Sequence, residues 1–261
     1  MQLLIAIPVY NERKYVRTVL DKVKKYHDDI LVIDDGSGDG TGELLSELAA
    51  TSDIRLIRHP VNRGYGQSLI DAFCYADRHG YDWVITMDCD EQHEPEMIPE
   101  FIREIRSQQS PPWDIISGSR YMQTQPDGDL PPGDRRAINA TITALLNDLF
   151  GWNLTDSFCG FKAHRVAAMR KLQLSETGYA FPLQLWPLAH AAQLRIKEIP
   201  VRLIYNDPTR HFGGLLDDAA VRLQHYKDVL NAELVRMRDE GAAKQGTAID
   251  QPAMCSCFCG E

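Results

Sequence analysis

Short apolar runs alternate with amphipathic ones through the first half of the chain. Leu3–Val9, Ile30–Asp34, Ile54–Arg58, Trp83–Met87 and Ile115–Gly118 are rich in isoleucine and valine. Runs of this length and composition predict strands covered on both faces. Between them lie segments with apolar residues at helical spacing. Tyr15–Lys25 carries Val16, Val19, Leu20 and Val23 along one side, and Gln67–Arg78 follows the third strand. The alternation predicts an α/β domain, a mostly parallel Rossmann-like sheet flanked by helices.

The second half changes character. Pro131-Pro132-Gly133 precedes a helical run from Arg135 to Phe150, and a loop around Asn153–Gly160 follows. Helical stretches are predicted near His164–Leu172 and Pro182–Ala192, and a strand over Arg195–Tyr205. Asn206–Gly214 reads as a polar loop. Leu215–Arg238 reads as a long amphipathic helix with Leu216, Leu223, Leu230, Leu234 and Met237 on one stripe. Such a stripe more often packs on its own domain than lies on a membrane. The organisation read from this pattern is a catalytic domain over 1–214, a C-terminal helix over 215–240 and a cysteine-containing tail over 241–261, with Cys255, Cys257 and Cys259 near its end.

Lys plus Arg total 28 and Asp plus Glu 37, a formal net charge of −9. That charge offers no long-range attraction to a nucleic-acid backbone, so no nucleic acid is expected as a partner. No apolar run approaches the ~18 residues of a membrane span, and the N-terminus enters a core strand directly. A cytoplasmic protein is expected, or one peripheral to the cytoplasmic membrane face.

Ligands of parallel sheets bind beyond the carboxyl ends of the strands. Pro8-Val9-Tyr10-Asn11-Glu12 lies at the first strand end, Asp34-Asp35-Gly36-Ser37-Gly38-Asp39-Gly40-Thr41 at the second, Asp88-Cys89-Asp90-Glu91-Gln92-His93 at the fourth and Ser117-Gly118-Ser119-Arg120 at the fifth. Their convergence on one edge says more than any single motif. In extended backbone Asp88, Asp90 and Gln92 point the same way. Three such oxygen donors suit a hard divalent cation, Mg²⁺ or Mn²⁺, shared with substrate phosphates; in isolation, Asp-x-Asp could equally be a solvated acidic turn. Asp34–Thr41 could be a tight turn with Asp39 or Thr41 capping the next helix. Its glycines do not satisfy Gly-x-Gly-x-x-Gly, and no Gly-Lys-Ser/Thr loop occurs, which disfavours dehydrogenases and P-loop enzymes.

In this order, Ile7–Glu12, Val32–Thr41, Asn62-Arg63-Gly64-Tyr65-Gly66, Met87–His93, Gly118-Ser119-Arg120-Tyr121 and Asp156-Ser157-Phe158-Cys159-Gly160-Phe161-Lys162 resemble glycosyltransferase family 2. The nearest branch is the dolichyl-phosphate mannose synthase and polyprenyl-phosphate glucosyltransferase group, and the likeness covers roughly residues 3–215. The resemblance implies a GT-A fold and inverting, metal-dependent transfer of a hexosyl group from a UDP- or GDP-sugar to a lipid phosphate at a membrane surface. It implies nucleotide contacts for Pro8, Tyr10, Glu12 and Asp35, and metal and diphosphate contacts for Asp88, Asp90 and Gln92. Arg120 falls on a phosphate-contacting position and Asp156 near the acceptor. Arg210 falls in a loop that closes over the phosphates. Membrane-anchored members carry transmembrane helices after this domain, and this chain shows none.

Two further readings accompany this one. A noncatalytic nucleotide-sugar-binding subunit of a membrane complex, with a membrane partner protein, would fit the missing spans. A hydroxyl acceptor would require a general base, for which Asp156 is the best candidate, whereas a phosphate acceptor needs positioning and charge stabilisation by the metal, Arg120 and Arg210. The glycines after Arg210 permit a lid over residues 206–214.

Overall fold

The computed structural model describes residues 1–90, 93–107, 112–123, 133–204 and 214–246, with side chains up to Asp239. Seven strands form one sheet. They are β1 (Leu3–Val9), β2 (Ile30–Asp34), β3 (Ile54–Arg58), β4 (Trp83–Thr86), β5 (Ile115–Ser119), β6 (Lys162–Arg165) and β7 (Ile196–Pro200), in the order β3-β2-β1-β4-β6-β5-β7. The helices are α1 (Val16–Val23), α2 (Thr41–Thr51), α3 (Tyr65–Arg78), α4 (Ile98–Arg106), α5 (Gly133–Phe150), α6 (Val166–Met169), α7 (Phe181–Ala191) and α8 (Ala219–Gly246). The mostly parallel α/β sheet anticipated from the apolar pattern is present.

Side-chain alternation in β1 divides the core. Leu4 and Ala6 face one layer with Leu31, Phe73 and Trp186. Leu3, Ile5, Ile7 and Val9 face the other, with Val19 of α1, Leu45 of α2 and Phe101 of α4. Both layers are dry, so β1 has no polar face. Register places the strand ends together: Val9 pairs with Asp34, Asp34 with Arg58, and Ala6 with Thr86. The polar residues that follow these strands therefore leave the sheet along one edge.

Three elements depart from the sequence reading. The helix expected near His164–Leu172 is preceded by strand β6, which runs antiparallel to both β4 and β5. Lys-Ala-His-Arg carries no β-branched or aromatic signal. Its alternation is nevertheless that of a central strand, with Ala163 in one layer and Lys162 and His164 buried toward the other. Lys162 donates through Nζ to the Cys159 carbonyl and lies 5.4 Å from the Trp186 ring centre. Among the described residues, the strand expected over Arg195–Tyr205 runs from Ile196 to Pro200. The C-terminal helix begins at Ala219, after a short 3-10 turn over Gly214–Asp217, and continues through Gly246 past the expected start of the tail. The lid residues Asn206–Gly213 and the Cys255–Cys259 cluster lie outside the described residues.

Helix α8 packs on its own domain. Tyr226 and Leu230 are buried in the core layer of α5 and α7, with Leu223 and Leu234 packed against it. No helix among the described residues is long and apolar enough to cross a membrane. Truncating the fully buried Leu230 to alanine is expected to lower unfolding stability by about 2–5 kcal/mol, measured by urea denaturation. A change below about 1 kcal/mol would mean that α8 is not docked as described.

Candidate active site

The loops after β1 and β2 hold each other. Asn11 takes a left-handed backbone conformation at φ 57°, which asparagine tolerates better than most residues. Its N–H donates to Ser37 Oγ at 2.9 Å, and its Oδ1 accepts from the Gly38 N–H at 2.8 Å. Asp39 accepts from the N–H groups of Arg13 and Thr41, which fixes the start of α2. Gly36 has φ 71°, and a Cβ there would lie 2.4 Å from the Val61 carbonyl carbon; only glycine allows this crossing of backbones. With these loops pinned, Pro8, Tyr10 and Glu12 stand beside Asp35 on the wall of one cavity of about 690 Å³.

Asp35 is nearly buried. Its Oδ1 accepts from His59 Nδ1 and the Arg63 N–H, both at 2.7 Å, and its Oδ2 accepts from the Gly64 N–H at 2.8 Å. It thereby anchors the Asn62–Gly64 loop while lining the cavity. From that loop α3 begins at Tyr65, whose hydroxyl donates to Asp88 Oδ1 at 2.9 Å. Burial, and then the neighbouring Asp88 charge, hold the Tyr65 pKa well above its ordinary value, so it remains a donor.

After β4 the chain alternates. Met87 and Cys89 point into the core, while Asp88 and Asp90 line the cavity. The Asp88 N–H donates to His93 Nδ1 at 3.0 Å. Burial depresses the His93 pKa to about 4, so the ring is neutral and can accept there. Gly160 closes the other side of Asp88, because a Cβ at that position would lie 2.6 Å from Asp88 Oδ2 and 2.8 Å from the Tyr65 hydroxyl. Two half-exposed carboxylates beside open cavity are a suitable donor set for a hard cation that also takes substrate oxygens. Gln92, the third expected ligand, lies outside the described residues, as does Arg210.

Arg120 and Asp156 are each other's partners. Arg120 Nε donates to Asp156 Oδ2 at 2.6 Å, Nη2 to Oδ1 at 2.9 Å, and the Arg120 N–H to Oδ2 at 3.1 Å. Asn139 Nδ2 and the Phe158 and Cys159 N–H groups complete the acceptor shell of Oδ1. Burial alone would raise the Asp156 pKa, but the charge and hydrogen bonds of Arg120 bring it down to about 2. Glu198 on β7 accepts from the Thr155 and Asp156 N–H groups, holding the loop from beneath. Asp156 is fully buried behind Arg120, while Arg120 faces the cavity.

The described candidates Pro8, Tyr10, Glu12, Asp35, Asp88, Asp90 and Arg120 thus surround one cavity, and Asp156 backs it. The same cavity has a second kind of lining. Arg135, Asn139 and His225 line it together with the apolar side chains of Ile138, Phe158, Pro182, Leu203 and Leu216.

The family model described as "Glycosyl transferase family 2" matches residues 4–173. The chain belongs to this family. Undecaprenyl-phosphate mannosyltransferase of Micrococcus luteus is 27% identical over 248 residues, covering 91% of this chain and 99% of that protein. Polyprenol monophosphomannose synthase of Mycolicibacterium smegmatis is 31% identical over 209 residues, 76% of each chain. Among solved structures, glucosyl-3-phosphoglycerate synthase from Mycobacterium tuberculosis, in complex with Mn²⁺, UDP and phosphoglyceric acid, superimposes with a TM-score of 0.66 at 18% identity, covering 89% of this chain and 78% of that one. At that identity the likeness concerns the fold, which is the GT-A fold of the glycosyltransferases.

Several residues of this glycosyltransferase's site had no role in the sequence reading: His59, Tyr65, Asn139 and Glu198. Tyr65 lay inside a quoted motif without a role, and His59 directly follows a strand end. Asn139 and Glu198 carried no local signal.

Two substitutions probe the geometry. Gly160→Ala should displace Asp88, lowering transfer activity on the order of a hundredfold with an almost unchanged melting temperature; full activity would show that the Asp88 position is not critical. Asp156→Ala leaves Arg120 without its counter-charge and should cost about 3–5 kcal/mol of stability. Because the Asp156 pKa is depressed from 3.8 to about 2, this contribution is complete above the higher value and lost as pH falls through the lower one. The gap between wild type and variant should therefore narrow by about 2–3 kcal/mol in strong acid, as followed by denaturant titration across pH.

Proposed function

We propose that this glycosyltransferase moves a hexosyl group from a nucleoside-diphosphate sugar to a polyprenyl phosphate, with inversion at the anomeric carbon. The nucleotide sits against Pro8, Tyr10, Glu12 and Asp35, and the diphosphate reaches Asp88 and Asp90. Those two carboxylates, with Gln92, would hold Mg²⁺ or Mn²⁺, which when bound supplies neutralising charge to the departing diphosphate. A phosphate oxygen of the acceptor forms the new bond to the anomeric carbon as the bond to the diphosphate breaks. Arg120 stabilises the phosphates, and Asp156 acts as its positioning residue.

The observation that carries the acceptor class is the state of Asp156. A hydroxyl acceptor needs a base to take its proton. Asp156 is fully buried, its oxygens already accept from Arg120, Asn139 and backbone N–H groups, and its pKa is held at about 2. It is therefore a poor base. An acceptor phosphate is anionic at neutral pH and needs none. The cations and apolar side chains that line the same cavity suit a phosphate on a prenyl chain. The two relatives named for lipid-phosphate mannosyl transfer support the same class, and acceptor delivery would bring the protein to a membrane surface as a peripheral visitor. The loop around Arg210 is assigned, on family resemblance, to closing over the phosphates.

The test offers purified chain a panel of UDP- and GDP-sugars with Mg²⁺ or Mn²⁺ and either polyprenyl phosphate or the matching polyprenol. Transfer to the phosphate alone, with inverted configuration by NMR, is the expected result; transfer to the polyprenol would overturn it. Asp90→Ala should abolish turnover and weaken Mn²⁺ binding with little change in melting temperature, since the residue sits beyond a strand end. Wild-type Mn²⁺ affinity in that variant would refute the metal assignment.

A further inference from the structure

His59 follows β3, stands behind the cavity-lining Asp35 and takes no part in the transfer described above. Its side chain is 4% exposed. Nδ1 lies 2.7 Å from Asp35 Oδ1, and Nε2 lies 2.8 Å from Asp71 Oδ2. Both carboxylates are already acceptors. Asp35 accepts the Arg63 and Gly64 N–H groups, and Asp71 Oδ1 accepts from Gln67 Nε2 at 2.9 Å. Set between two carboxylates, the ring is best satisfied when both of its nitrogens donate. Only the imidazolium does so.

The charged groups around it come from three places. Asp35 follows β2, Asp71 lies on α3, and the Arg63 guanidinium approaches Asp71 at 3.8 Å from the loop between. Arg58, next in sequence, engages Asp34 and Glu43 instead. Two buried carboxylates thus face one another across a single ring.

We propose that His59 is a positioning residue for the nucleotide donor: its imidazolium clamps the cavity-lining Asp35 to Asp71 of α3, and donor affinity falls when that charge is lost. The proposal rests on the reading of Asp35 as part of the donor site. The clamp reaches further through α3, because the helix that carries Asp71 begins at Tyr65, the residue that fixes Asp88. One buried charge therefore keeps the nucleotide wall and the acidic motif in register.

The hydrogen bonds to Asp35 and Asp71 raise the ring's pKa from 6.5 to about 9, against the opposing effect of burial. A raised value means that the stabilisation is complete below the lower figure and is lost as pH rises through the upper one. Asp71→Asn removes one of the two anions, keeps an acceptor for Nε2 and should bring the titration to lower pH.

The experiment uses the full chain with ¹⁵N-labelled histidine, and UDP and GDP with Mg²⁺ as probes. NMR should report a doubly protonated His59 ring at neutral pH. Calorimetry should give a nucleotide Kd that is constant at neutral pH and rises as pH passes about 9. In Asp71→Asn both the ring titration and the affinity limb should move together to lower pH, which a purely structural histidine would not produce. His59→Gln should weaken binding about tenfold or more at neutral pH and abolish the limb; if it does not fold, the Asp71→Asn comparison stands alone. A neutral ring at neutral pH, or a limb that Asp71→Asn does not move, overturns the proposal. Nucleotide binding with no pH dependence removes the role of His59 alone, whereas a chain that binds neither nucleotide at any pH removes the donor-site reading and this proposal with it.

Discussion

The Arg120–Asp156 pair holds together parts of the chain that share little else. Arg120 leaves β5, Asp156 belongs to the loop before β6, Asn139 reaches in from α5, and Glu198 supports the loop from β7. A lone buried carboxylate would be expelled or protonated. This one is ionised because a guanidinium and several N–H groups face it. The same contacts that satisfy Asp156 aim Arg120 at the cavity. A single electrostatic requirement thus fixes both the packing of four segments and the placement of the cation most central to the site.

The opposite end of the cavity follows another logic. There Asp88 accepts from a neutral donor, the Tyr65 hydroxyl, while Asp35 is shared between the Arg63 and Gly64 N–H groups and the His59 ring. Neutral donors orient a carboxylate without cancelling its charge. Asp88 and Asp90 line the cavity as carboxylates, and Arg120 lines it as a guanidinium backed by Asp156.

Much of this was legible in the sequence where chemistry follows a strand. The apolar runs placed the sheet, and inspection of the first, second, fourth and fifth strand ends found Tyr10, Asp35, Asp88 and Arg120. The third strand end was not read for chemistry, and His59 stands there. Arg120 and Asp156 were each assigned to a ligand, but 36 residues of separation conceal that they bind one another. β6 was missed because Lys162 and His164 are buried polar residues in a strand whose neighbours, not its composition, determine its conformation. Gly160 looked like one motif letter among several; its absent side chain makes room for Asp88.

That same β6 has a geometric consequence. β4 and β5 both run antiparallel to it, so they run parallel to each other and deliver their ends to the same edge. Were they adjacent, the two ends would be separated by one inter-strand step of about 4.8 Å; with β6 between them the separation is two steps, roughly 10 Å. The strand least recognisable in the sequence is a spacer. Its width sets the span between the carboxylates beyond β4 and the guanidinium beyond β5, and so the length of the molecule that can touch both.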